Sequence, residues 1–212
     1  MPRNHPPLSE VFPYHVTART NNQAWFQIPM PEVWEIFTSQ LTFVARAYGL
    51  QIHAAVLMQN HFHLICQDPE CQVSLAMRWL MTETARTINR QAGSKNHLFG
   101  QRHYRSQMTH PQYFRHAYKY LYRNPVEAGL CRRVEEYPFS TLPALLGMDR
   151  LRVPMVTDHL LMENCEETLR WLNTTPLKKE LLEIRKALKS VYFTLPVSRK
   201  TRKLHPLELR DY

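Results

Sequence analysis

The chain has little glycine, no cysteine pairing pattern and no long apolar run, and each absence removes a class of protein. Only five glycines occur, with neither GxGxxG nor GxxxxGK[ST] among them, so dinucleotide-fold and P-loop chemistry have no support. The four cysteines (Cys66, Cys71, Cys131, Cys165) form no CxxC pair and are too sparse for a disulfide framework, which fits a reducing compartment. No stretch approaches the roughly 18 consecutive apolar residues of a membrane span. The first residues, MPRNHPP, lack the apolar core of a secretory signal. The expectation is a soluble, cytoplasmic, nucleoid-associated protein. Repeats and low-complexity tracts are absent as well.

What is present is positive charge and enough apolar material for a core. Hydrophobic residues make up 44% of the 212, which argues against disorder. Lys and Arg number 27 against 18 Asp and Glu, a net charge of +9. Such an excess says more about partners than about fold, and a polyanion is the commonest partner.

Residues 11–20 alternate partly and are β-rich, predicting a first strand. Val33, Ile36, Phe37, Leu41, Val44 and Ala45 recur at helical steps after Pro29 and Pro31, and Gly49 supplies a stop. Residues 50–58 and 61–67 read as two strands joined by a tight turn at Gln59 and Asn60. Residues 73–91 predict a second helix with Leu75, Trp79, Leu80, Ala85 and Ile88 on its apolar side. A fourth strand is expected at 101–109, and Pro111 opens a third helix that Asn124-Pro125 should break or kink. This order predicts an α+β fold of ferredoxin-like (RRM-like) type: a mostly antiparallel sheet, helices packed on one face and the other face free for a site. The catalytic domain is expected over residues 1–142, a linker over 143–157, and a basic helical appendage over 158–212. Residues 178–212 alone hold ten Lys or Arg against four acids.

His61-Phe62-His63 carries the chemistry. On a strand, residues i and i+2 share a face, so both imidazoles converge while Phe62 turns inward. Two histidines on a solvated face would give the same pattern, so the pair alone does not decide. On the third helix, Tyr120 and Asn124 are four apart and therefore neighbours, continuing a face with Tyr113 and Ala117. Phe114, Tyr118 and Leu121 fall on a more apolar stripe. Two imidazoles and an amide oxygen form a mixed N/O set suited to Mg²⁺ or Mn²⁺, beside a phenol that is a weak nucleophile unaided.

Four stretches then carry a family resemblance: YHVTAR at 14–19, LMQNHFHL at 57–64, QRHYRS at 101–106 and YLYRNPVEAGL at 120–130. In this order the chain resembles the REP-associated tyrosine transposases, relatives of the single-tyrosine enzymes of the HUH-endonuclease superfamily. The resemblance implies His61 and His63 as metal ligands, Asn124 as the third, and Tyr120 as catalytic nucleophile. It further implies cleavage of single-stranded DNA at a palindromic hairpin with a short guide tetranucleotide, through a 5′-phosphotyrosine. Relatives include monomers and homodimers. Gln59 stands where the family often has proline, and Glu127 where it often has arginine, which puts a phosphate contact at that position in doubt. Arg19, Arg102, Arg105, Lys119, Arg123, Lys200, Arg202 and Lys203 are the candidate DNA contacts. Arg102 and Arg105 are three apart on one strand, so one of them is equally well read as solvent-facing. His15 either lines the DNA path or is a buried, hydrogen-bonded histidine. Two rival functions fit the same charge and fold: a domesticated hairpin-binding regulator without cleavage, and a metal hydrolase that activates water.

Overall fold

The computed structural model describes residues 7–195 together with His205 and Leu207. Four strands, β1 (Tyr14–Arg19), β2 (Gln51–Met58), β3 (His61–Gln67) and β4 (Tyr104–Gln107), form one sheet in the order β2-β3-β1-β4. Every pairing is antiparallel. Two helices, α1 (Met30–Ala47) between β1 and β2 and α2 (Val73–Gln91) between β3 and β4, complete the split βαβ pattern.

Strand parity divides the sheet into two faces. Tyr14, Val16, Ala18, Ile52, Leu57, Phe62 and Leu64 point to one face and are buried under α1 and α2. Helix α1 contributes the six residues its periodicity predicts, Val33 through Ala45. Gly49 ends the helix with φ +66, and a Cβ there would stand 2.8 Å from the Glu70 side chain, so glycine answers both a left-handed turn and a close approach. Helix α2 is rotated from the expected face. It buries Val73, Ala76, Met77, Leu80, Thr84 and Ile88, while Leu75 and Trp79 are exposed, Trp79 stacking on Phe43 of α1. The buried carboxylate of Asp68 fixes that rotation by accepting from the backbone N–H groups of Gln72 and Val73, at 2.8 and 2.7 Å.

The opposite face is not left open. Helix α3 (Pro111–Glu127) lies across it, packing Ala117, Tyr118, Leu121 and Tyr122 on Ala54, Val56, Met58 and Ile65. Pro125 does not stop α3, which continues to Glu127. A proline removes only one N–H, and here the last turn is closed beyond it by bonds from Ala128 to the Asn124 carbonyl and from Leu130 to that of Pro125.

The later chain completes this second core. Residues 143–157, expected as a linker, begin within α4 (Leu142–Leu145) and run back along β2, where the Val156 N–H reaches the Ile52 carbonyl. The expected helix over 158–172 is two helices, α5 (His159–Glu163) and α6 (Cys165–Asn173), because Asn164 is extended and its side chain caps α6. Helix α7 (Lys178–Ala187) follows, burying Ile184 and Ala187. Both outer strands are covered. Residues 139–141 bond to Leu57 and Ala55 on β2, and Val191 and Phe193 bond to Gln107 on β4. Among the described residues no helix is long and apolar enough to cross a membrane.

Candidate active site

The central strands β1 and β3 are in register with Arg19 opposite His61 and Thr17 opposite His63. Odd-numbered residues of both strands therefore face away from α1 and α2. They meet α3 at one end of the sheet, around a cavity of about 970 Å³. His61 and His63 line it from β3, Arg19 from β1, Tyr120 and Asn124 from α3, and Arg102 from the segment before β4. The His61 and His63 rings are 5.0 Å apart, and the Tyr120 ring stands edge-on to His63 at 5.6 Å.

Each imidazole is held through Nδ1. His61 Nδ1 meets the Asn60 side-chain oxygen at 2.7 Å; since that oxygen only accepts, Nδ1 carries the proton and Nε2 the lone pair. His63 Nδ1 meets His15 Nε2 at 2.9 Å, which resolves His15 as a buried hydrogen-bonded histidine at the edge of the cavity. Among the described residues, His63 Nε2 is buried with no hydrogen-bond partner. Ligation through that atom requires the tautomer in which His63 donates to His15, the arrangement usual for metal-binding histidines. Burial pushes His61 down to about 4, with Arg19 adding to the shift, and His15 down to about 3. His63 is held well below the usual imidazole range, first by burial and then by the imidazoles of His15 and His61 and the guanidinium groups of Arg19 and Arg185. All three rings are thus neutral at pH 7, as ligands must be.

Among the described residues, no group of three or more His, Cys, Asp and Glu side chains is arranged to hold a metal ion. A cation here needs an amide oxygen. Asn124 can offer one, because its Nδ2 is occupied donating to the Tyr120 carbonyl at 2.7 Å, which leaves Oδ1 free. An unpartnered buried Nε2, a second Nε2 and this oxygen fit a divalent cation in donor type.

Burial raises the Tyr120 phenol above its ordinary value. The charge and hydrogen bonding of Arg185, the Asn124 amide and Arg19 pull it back. The neighbouring tyrosines of α3 are structural: Tyr118 donates to Asp158 at 2.6 Å, and Tyr122 bonds Thr141 at 2.8 Å.

Several predicted cations lie elsewhere. Arg105 pairs in register with Val16, so parity sends it to the α2 side, where it lies 5.5 Å from the Tyr14 ring and donates to Ser74. Arg123 is buried, bonding Glu127 and the carbonyls of Leu172 and Asn173; it clamps α6 to α3, outside the cavity lining. That ion pair also occupies Glu127, which lines the cavity. Lys119 sits 5.2 Å from the Trp171 ring, outside the cavity lining. Lys200, Arg202 and Lys203 lie outside the described residues.

Two residues escape sequence reasoning. Asn60 reads only as a turn residue. In the fold it joins His61 to the turn after β1, its Nδ2 donating to the Gln23 carbonyl at 2.8 Å. Arg185 is one of ten cations near the C-terminus, with no local signal separating it from the rest.

The family model described as "Transposase IS200 like" matches residues 10–124. A REP-associated tyrosine transposase of Escherichia coli (strain K12) is 31% identical over 98 residues, which is 46% of this chain and 58% of that protein. A solved structure of a REP-associated tyrosine transposase bound to a REP hairpin superposes with a TM-score of 0.59. It shares 19% identity and covers 74% of this chain and 99% of its own, a likeness of fold.

Proposed function

The chain belongs to the IS200-like transposase family, and from that premise we propose that it is a metal-dependent single-stranded DNA endonuclease and strand transferase. Its substrate in this reading is a hairpin-forming palindromic repeat, cut through a 5′-phosphotyrosine. The observation that carries the reading is a phenol and the unpartnered Nε2 of His63 lining one cation-rich cavity.

A divalent cation, Mg²⁺ or Mn²⁺, held by His61, His63 and Asn124, would stabilise charge on the scissile phosphate and polarise its phosphorus. The protein's own groups supply the rest. Arg19 and Arg102 neutralise phosphates along the strand. Asn124, one turn from Tyr120, hydrogen-bonds the phenol through its amide. The phenolic oxygen bonds phosphorus as the P–O3′ bond breaks; the phenol loses its proton and the 3′ oxygen gains one. The ester bond retained on tyrosine lets a second 3′-hydroxyl reverse the step on a new strand without ATP.

The test is a labelled hairpin strand incubated with the protein and Mn²⁺, then run on a denaturing detergent gel. Wild type should form a covalent adduct. Tyr120→Phe should form none while binding the hairpin with unchanged affinity. Adduct that persists in Tyr120→Phe, or vanishes instead in Tyr118→Phe, would overturn the assignment.

A further inference from the structure

We propose that Arg185, delivered by α7 from outside the segment the family model matches, grips the scissile phosphate and is a catalytic residue of the strand-transfer reaction. The inference rests on the reading above and adds a residue to it. Arg185 lines the cavity together with Tyr120, Asn124 and His63, and its guanidinium lies against the Tyr120 phenol.

Three features argue for a ligand-directed role. First, the guanidinium has no carboxylate partner among the described residues, although its neighbour on α7, Glu183, pairs with His205 at 3.0 Å. The acid in the cavity lining, Glu127, is committed to Arg123 at 2.7 Å. Second, the base of the side chain is fixed. Ile184, Ala187 and Leu188 are buried in the second core, and the Tyr104 hydroxyl donates to the Lys189 carbonyl. The chain beyond is pinned to β4 through Gln107, with bonds of 3.0 and 2.9 Å. Third, the chemistry suits the place. Phosphoryl transfer spreads charge over the non-bridging oxygens, and a planar guanidinium donates to two of them at once in a way an ammonium does not. Arg19 and Arg102 stand on the sheet's side of the cavity; Arg185 approaches from α7, beside the attacking oxygen. The contact makes and breaks no covalent bond, so the balance of the cleavage step is unchanged.

The experiment uses the full chain with Mn²⁺ and two hairpin strands, one native and one with a neutral methylphosphonate at the scissile position. On the native strand, Arg185→Ala should slow single-turnover adduct formation by about 10²-fold or more, and Arg185→Lys should recover little of it. Hairpin affinity should fall by no more than roughly threefold, as for one lost phosphate contact. On the methylphosphonate strand, wild type and Arg185→Ala should react alike, because no anionic oxygen remains to be held. Arg185→Gln, which keeps a polar side chain and the first methylenes of the arginine, should repeat this pattern if the alanine variant melts early. Equal rates on the native strand would overturn the proposal. A faster variant would do so too, showing that the contact only restrains the phenol. Equal deficits on both strands would mark Arg185 as structural. Wild-type protein that forms no Tyr120-dependent adduct would instead sink the reading beneath it.

Discussion

The two faces of the sheet solve different problems with the same strands. Under α1 and α2, alternate residues such as Val16, Phe62 and Leu64 are fully buried and apolar, and stability is all they supply. Across the other face, neighbouring positions carry His15, His61 and His63, and the covering layer is tied together by hydroxyls and by Arg123. The difference teaches where tolerance lies. The α1–α2 face is mostly apolar, and its buried Arg105 and Asp68 are bonded by Ser74 and the start of α2, whereas the buried polar atoms of the site face must find partners or wait for a ligand.

Adjacent residues sharpen that contrast most. Phe62→Ala should cost about 3–5 kcal/mol, lowering the melting temperature by roughly 10 °C, and spare whatever cleavage the folded fraction shows. His63→Ala should abolish adduct formation with a much smaller melting shift. If calorimetry and the cleavage gel give the two variants the same profile, the division by parity is wrong. Next in size, Arg123→Met leaves Glu127 and two carbonyls unpaired and should cost about 2–4 kcal/mol by chemical denaturation. Its DNA affinity should keep the wild-type dependence on salt.

The site face should also be acid-sensitive. His15 and His61 titrate at about 3 and about 4 in the folded chain, against 6.5 when exposed. Between pH 6.5 and about 4 the unfolded chain binds protons the folded chain refuses, so stability falls as pH drops through that window and is fully restored above it. Denaturation midpoints at pH 7.5 and 5 check this, and His61→Gln should flatten the difference. The smallest expected effect is at Arg102, where alanine should reduce the slope of log affinity against log salt by about one. A matching change in Arg105→Ala would contradict its placement beneath α2.

Much of this was legible in the chain. The six core positions of α1 follow from their spacing; a period of two on a strand pairs His61 with His63, a period of four on a helix pairs Tyr120 with Asn124, and it is the family resemblance that brings the two pairs together. The failures share one cause, which is dependence on partners distant in sequence. Spacing cannot say which of Arg102 and Arg105 faces the site until β4 is in register with β1. Leu75 and Trp79 satisfy a helical period, but the Asp68 cap and the packing against α1 select another face. Asn124-Pro125 reads as a break or a kink because its local effect is real, yet the bonds that carry α3 past it are made by Ala128 and Leu130. Arg185 becomes visible only once α7 has docked.

The covering of both outer strands has a bearing on how the chain matures. A bare strand edge is a template for pairing with any neighbour, and β4 gains its cover only when Val191 and Phe193 have left the ribosome. Until those residues are made, therefore, the nascent sheet has an unguarded flank, and their arrival is what seals it.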